Sequence, residues 1–141
     1  MANELITNIY DHSTMFKEEI GWGIVFAYEN SKEGYLDLCV VDNGLTIPNK
    51  FEIAGIDFKD DCDSIYKSTQ QFSTENSPQL NICNRGIGLW ATLKLAIEGN
   101  RGNDLIVSRG GLLSINNTEN YKYELLENNF DGTLVCLRLK K

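Results

Sequence analysis

Long apolar runs are missing from this 141-residue chain. Nothing in it approaches the ~20 consecutive apolar residues that span a bilayer. The first residues also lack the basic segment followed by an apolar stretch that marks a secretory leader. With neither feature, no membrane contact is expected and the expected compartment is the cytoplasm. Positive charge is short as well. Thirteen Lys and Arg against 20 Asp and Glu give a formal net charge of −7, which argues against nucleic acid as a partner, because such surfaces need a basic stripe. Histidine occurs once, as His12, and the four cysteines (Cys39, Cys62, Cys83, Cys136) form no C-x-x-C pair. That spacing is poor for zinc. Cys39 and Cys136 fall in apolar strand patterns and read as small buried side chains, so all four are expected as reduced thiols. No internal repeat, low-complexity tract or linker divides the sequence, and one domain over 1–141 is expected.

What is present is an ordinary globular composition, 42% hydrophobic and 23% charged, enough apolar surface for a packed core. Residues 3–16 carry a helical pattern with Asn3 as cap. Trp22 to Tyr28 and Leu36 to Val41 read as strands, and the cluster Glu29 to Gly34 between them predicts an antiparallel hairpin. Pro48 is expected to end the following loop. A short helix is expected over 49–56 and a firmer one over 60–70. The acidic run Asp57 to Asp63 reads as a solvated loop and helix start, with partner docking as the alternative. A long polar stretch, 71–85, precedes a helix over Gly86 to Glu98, whose Leu89, Leu93, Ala96 and Ile97 recur at helical spacing and which Gly99 closes. The remainder reads as four short strands, 104–108, 111–116, 121–126 and 133–139, with turns at Gly110-Gly111, Asn116-Asn117 and Asp131-Gly132. Helices early and in the middle, then a β-meander, predict an α+β fold, a mostly antiparallel sheet covered on one face.

Three groups carry possible chemistry. Glu4, Asn8 and His12 fall at i, i+4 and i+8, one drifting stripe of a helix. A carboxylate beside a carboxamide suits Mg²⁺-nucleotide chemistry, the amide oxygen as a hard ligand and the carboxylate as base. An amphipathic helix with a solvated polar face explains the same spacing. Asp42 follows the apolar run Leu38 to Val41 and should emerge at a strand end, where it could accept from an exocyclic amine. Gly44 would let a ring or a water approach the backbone. A plain Asp-Asn-Gly turn is the alternative. Gly86 and Gly88 open a helix whose free N–H groups favour anions, with Arg85 beside them. No Gly-Lys-Ser/Thr follows and no βαβ unit surrounds them, so neither a Walker motif nor a dinucleotide fingerprint is present. Close packing of a helix on a strand would also use such glycines.

In this order the motifs resemble those of the GHKL ATP-binding superfamily, whose members include DNA gyrase, a heat-shock chaperone, sensor histidine kinases and a mismatch-repair ATPase. Glu4-Leu5-Ile6-Thr7-Asn8-Ile9-Tyr10-Asp11-His12 is similar to the N box. Asp42-Asn43-Gly44 is similar to the first glycine box, Arg85-Gly86-Ile87-Gly88-Leu89 to the second, and Asp131-Gly132-Thr133 to the final Gly-Thr. The resemblance runs from Glu4 to the C-terminus. It implies a two-layer sandwich, a mixed sheet with helices on one face. It further implies Glu4 as base or water-orienting residue, Asn8 as Mg²⁺ ligand, and Asp42 as the adenine reader with Gly44 and Thr133 supporting through water. Arg85, Gly86, Gly88 and Leu89 would bound the phosphates, and 71–85 would be a lid.

The Asn-x-x-x-His and Arg-Gly-x-Gly-Leu forms look most like histidine-kinase catalytic domains and anti-sigma-factor serine kinases. The implied activity is γ-phosphoryl transfer from Mg²⁺–ATP to a partner protein or to water. A non-catalytic ATP-sensing module that contacts a protein is the alternative. His12 reads as structural and not as a phosphorylation site. Three departures stand out. Thr46 replaces the second glycine of the first box, and Ser73-Thr74-Glu75 stands where relatives often carry a lysine. The family's leading strand has no counterpart ahead of Glu4, which implies a shortened chain or a partner segment on an open sheet edge, homodimer included.

Overall fold

The computed structural model describes residues 22–70, 93–94, 98, 102–117 and 120–140. Strand β1 (Gly23–Asn30) and strand β2 (Tyr35–Asp42) are antiparallel partners in register from Gly23↔Asp42 to Asn30↔Tyr35. Their turn is set by Asn30, whose Oδ1 accepts the Lys32 and Glu33 N–H groups at 3.2 and 3.1 Å. Helix α1 (Ile47–Ile53) and helix α2 (Asp61–Ser68) follow. Strands β3 (Asn103–Asn117) and β4 (Asn120–Lys140) complete a four-stranded sheet of order β1-β2-β4-β3. Every pairing in it is antiparallel, so the fold is α+β, and the mixed sheet expected from the resemblance is corrected to a wholly antiparallel one among the described residues.

Period-two alternation sorts the sheet into two faces. On the inner face the register sets three rows across β2, β4 and β3: Leu38–Leu137–Asp104, Val40–Val135–Ile106 and Asp42–Thr133–Ser108. Ile47 and Phe51 of α1 and Ile65 of α2 join Val40, Ile106, Leu113, Ile115, Val135 and Leu137 in one core. Both described helices therefore lie on that face. Asp60 caps α2 by accepting the Asp63 N–H at 2.9 Å, and Asp63 pairs with Lys67 one turn on at 2.9 Å. The acid at the start and the base at the end both favour the helix dipole. In α1, Pro48 sits in the first turn, where its missing N–H costs nothing. The expectation that Pro48 ends a loop is corrected accordingly, and the helix begins at Ile47.

Two expectations about the C-terminal half are corrected. Four short strands are in fact two long ones of 15 and 21 residues. Gly110-Gly111 and Asp131-Gly132 are not turns but register shifts, where Arg109 faces Phe130 and Gly111 faces Leu125. Bulges carry the extra residues of β4 without ending the ladder. The second correction concerns sulfur. Cys39 stands directly opposite Cys136 on the outer face, Cα atoms 4.1 Å apart, and the two form a disulfide. Spacing along the chain gave no hint of it because the pairing depends on register. Cys62 is a free buried thiol.

Strand β1 occupies a sheet edge and leaves Trp22, Ile24, Val25, Phe26 and Tyr28 exposed. Among the described residues no strand pairs with its outer side. None of Gly23 to Tyr28 is charged, so this edge lacks the lysines or prolines that usually blunt one. No helix among the described residues is long and apolar enough to cross a membrane.

Candidate functional site

The row Asp42–Thr133–Ser108 is the last that β2 shares with β4 and β3, and here the apolar rows give way to three side chains that hydrogen-bond. Asp42 ends β2 and is half-buried. Its Oδ1 accepts the Gly44 N–H at 2.8 Å, an Asx-type turn that directs the chain away from the sheet. Burial pushes the Asp42 carboxyl above its ordinary pKa. The Gly44 N–H, the Lys50 charge and the Thr133 N–H pull it partly back. Gly132 gives β4 its close approach here: a Cβ on it would lie 1.8 Å from the Asp42 carbonyl oxygen, and its φ is +144°.

Ser108 joins the pieces. It is fully buried, its Oγ accepts the Ile47 N–H at 2.9 Å, and it lies 2.9 Å from Thr133 Oγ1. One hydroxyl thus ties the start of α1 to β3 and β4. The loop between Asp42 and α1 is fixed at both ends. Asn43 accepts the Trp22 N–H through Oδ1 at 2.8 Å, and Thr46 caps α1 by accepting the Asn49 N–H at 3.3 Å. Thr46, where the resemblance would place a glycine, supplies that capping hydroxyl.

Immediately after Ser108 the backbone of Arg109 is left-handed, with φ of 51°, uncommon for a residue with a side chain. Four contacts hold it there. Its Nε and Nη2 donate to Asp61 at 3.0 and 2.6 Å. Nη1 donates to Asn49 Oδ1 at 2.7 Å and Glu52 Oε1 at 2.8 Å. The Gly110 N–H adds a bond to Asp61 Oδ2 at 2.8 Å. This clasp fastens both helices to the bulge beside the site, and it corrects the reading of the acidic run as solvated: Asp61 turns inward. The Arg109 guanidinium holds the Asp61 carboxyl below the usual range. Arg109→Ala leaves that carboxylate, only 16% exposed, without its cation and is expected to cost about 3 kcal/mol. Because the folded pKa is depressed, the contribution is present near neutrality and lost as pH falls through it. Urea midpoints of parent and variant should differ at pH 7 and converge in acid. Equal midpoints at pH 7 would mean the clasp contributes nothing.

Of the residues singled out in the sequence, the fold brings Asp42, Gly44 and Thr133 together. Glu4, Asn8, His12, Arg85, Gly86, Gly88, Leu89 and the stretch 71–85 lie outside the described residues. Among the described residues no three His, Cys, Asp or Glu side chains converge as metal ligands. Sequence reading missed Ser108 and Arg109. Ser108 had a usable signal: two positions after Ile106 in an apolar strand, alternation turns it inward. Compared with protein-family models and with curated proteins, the chain finds no match.

Proposed function

We propose that this chain is a GHKL-type ATP-binding domain that takes Mg²⁺–ATP at the end of the sheet marked by Asp42 and Thr133 and transfers the γ-phosphoryl group to a partner protein or to water. One observation carries the reading. Asp42 and Thr133, about ninety residues apart in the chain, pair in one cross-strand row, and the Gly44 N–H engages the Asp42 carboxylate beside it. A plain Asp-Asn-Gly turn would not need a hydroxyl-bearing Gly-Thr against it. The pairing fits an adenine edge: a partly desolvated carboxylate as acceptor beside a hydroxyl that can donate. The α+β architecture with helices on the inner face is compatible with the family's sandwich.

In this reading Glu4 would orient or deprotonate the attacking group, and Asn8 would hold Mg²⁺, whose charge would offset that of the phosphates. The resemblance would also assign Arg85, Gly86, Gly88 and Leu89 to the phosphates. Catalysis comes mainly from positioning and charge stabilisation. Titration calorimetry with ATP and GTP in Mg²⁺ tests the reading. Asp42→Asn is expected to abolish ATP binding, since an amide NH₂ replaces an acceptor, whereas Glu4→Ala should keep binding and lose turnover. Undiminished ATP affinity in Asp42→Asn would remove the adenine assignment. Turnover surviving in Glu4→Ala would remove the base, and binding without turnover in the parent would make the chain an ATP sensor.

A further inference from the structure

Cys39 and Cys136 face one another across the β2–β4 ladder and form a disulfide. The register sets Phe26 on one side of the pair and Leu105 on the other, in a single outer row. Both described helices pack into the core on the opposite face. The two cysteines are only half-buried, so a thiolate arriving from solvent can reach a sulfur. Three residues further along each strand, roughly 10 Å at ~3.3 Å per residue, stands the pair Asp42↔Thr133. Cys62 takes no part. Its thiol is buried against the Leu112 and Glu124 carbonyl oxygens, and burial raises its pKa, which makes it a poor nucleophile.

We propose that Cys39–Cys136 is a thiol–disulfide exchange site for an external dithiol, and that its reduction loosens the β2–β4 ladder through to Asp42 and Thr133. A thiolate of the dithiol attacks one sulfur, the S–S bond breaks, and the other cysteine leaves as a thiolate that takes up a proton. The second thiol of the donor then attacks the mixed disulfide, closes the donor's own disulfide and releases the first cysteine. Two electrons and two protons pass to the protein. Reduced, the two side chains remain small and apolar beside Phe26 and Leu105. What is lost is the covalent restraint across 97 residues of chain, which limits the unfolded state most when the closed loop is long. The inference does not depend on the nucleotide reading.

The test treats the full chain with dithiothreitol and follows thiol labelling, amide exchange by NMR and the thermal midpoint. Reduction is expected to expose two further thiols, at a rate within about a hundredfold of that in urea. Reduction that had to wait for global unfolding would be slower by at least about 10³. Tm should then fall by about 10 °C. Amides bonded between β2 and β4 should gain more exchange than those within the β1–β2 and β3–β4 ladders, whereas general destabilisation would quicken all three alike. Cys39→Val with Cys136→Val keeps the row apolar and should match the reduced parent while ignoring dithiothreitol. A dithiothreitol effect that persists in that double variant would place it at another cysteine and overturn the inference. So would an unchanged thiol count, reduction only at the rate of global unfolding, or exchange that rises equally in all three ladders.

Discussion

Gly132→Ala is expected to lower stability by about 3–5 kcal/mol, a fall of about 10–15 °C in Tm for a chain of this size. The added Cβ would lie 1.8 Å from the Asp42 carbonyl oxygen, 2.9 Å from its carbonyl carbon and 3.1 Å from Asn43 Cα. All three are backbone atoms and cannot rotate aside. Relief requires β2 and β4 to part at Asp42↔Thr133, so the candidate site opens together with the core beneath it. Gly34→Ala is the matched control. Its φ is also positive, at 69°, but nothing lies within 4 Å of the new Cβ, which leaves only backbone strain of about 1–2 kcal/mol. Thermal melts of the two variants separate the terms. A Gly132 variant no less stable than the Gly34 variant would mean that the strands do not approach so closely.

The second large effect comes from Asp104. Its side chain is 2% exposed and shares a row with Leu137 and Leu38. Neither carboxyl oxygen has a hydrogen-bond partner among the described residues. Burial without a partner raises its pKa to about 8. The folded chain therefore binds a proton here that the unfolded chain releases near pH 4. Between those values stability falls as pH rises, and it levels off above the folded pKa. The loss is on the order of 5 kcal/mol when complete. Asp104→Leu, which keeps the branching at Cγ and suits a row that already holds Leu38 and Leu137, removes the slope. Urea denaturation should find the variant close to the parent at pH 5 and more stable by several kcal/mol at pH 9. Identical pH profiles would mean that Asp104 finds a partner when charged.

Both residues mark where sequence reading stopped. The β1–β2 hairpin, α2 and the class of fold were legible because turn residues, caps and apolar alternation are local. The bulged strands were not. Gly110-Gly111 and Asp131-Gly132 carry turn chemistry, and only the partner strand decides whether such a pair reverses the chain or kinks it. Asp42 and Thr133 were singled out by motif, yet their meeting follows from the β2–β4 register. Ser108 escaped notice because a serine at a strand end is commonplace until its neighbours are known. Arg109 escaped because a left-handed arginine is fixed by carboxylates from helices fifty residues away. The disulfide was misread for the same reason as the bulges, since its two halves are 97 residues apart in the chain.

The strand order also fixes how the molecule must assemble. β1 with β2, and β3 with β4, are neighbours in both sequence and space, hairpins of the kind that close in microseconds. The β2–β4 ladder joins them across nearly the whole chain, and closing so long a loop is the slow, entropically costly event. Asp42 belongs to the first hairpin, and Ser108 and Thr133 belong to the second. Neither hairpin alone contains the site, so it comes into being only when the β2–β4 ladder closes.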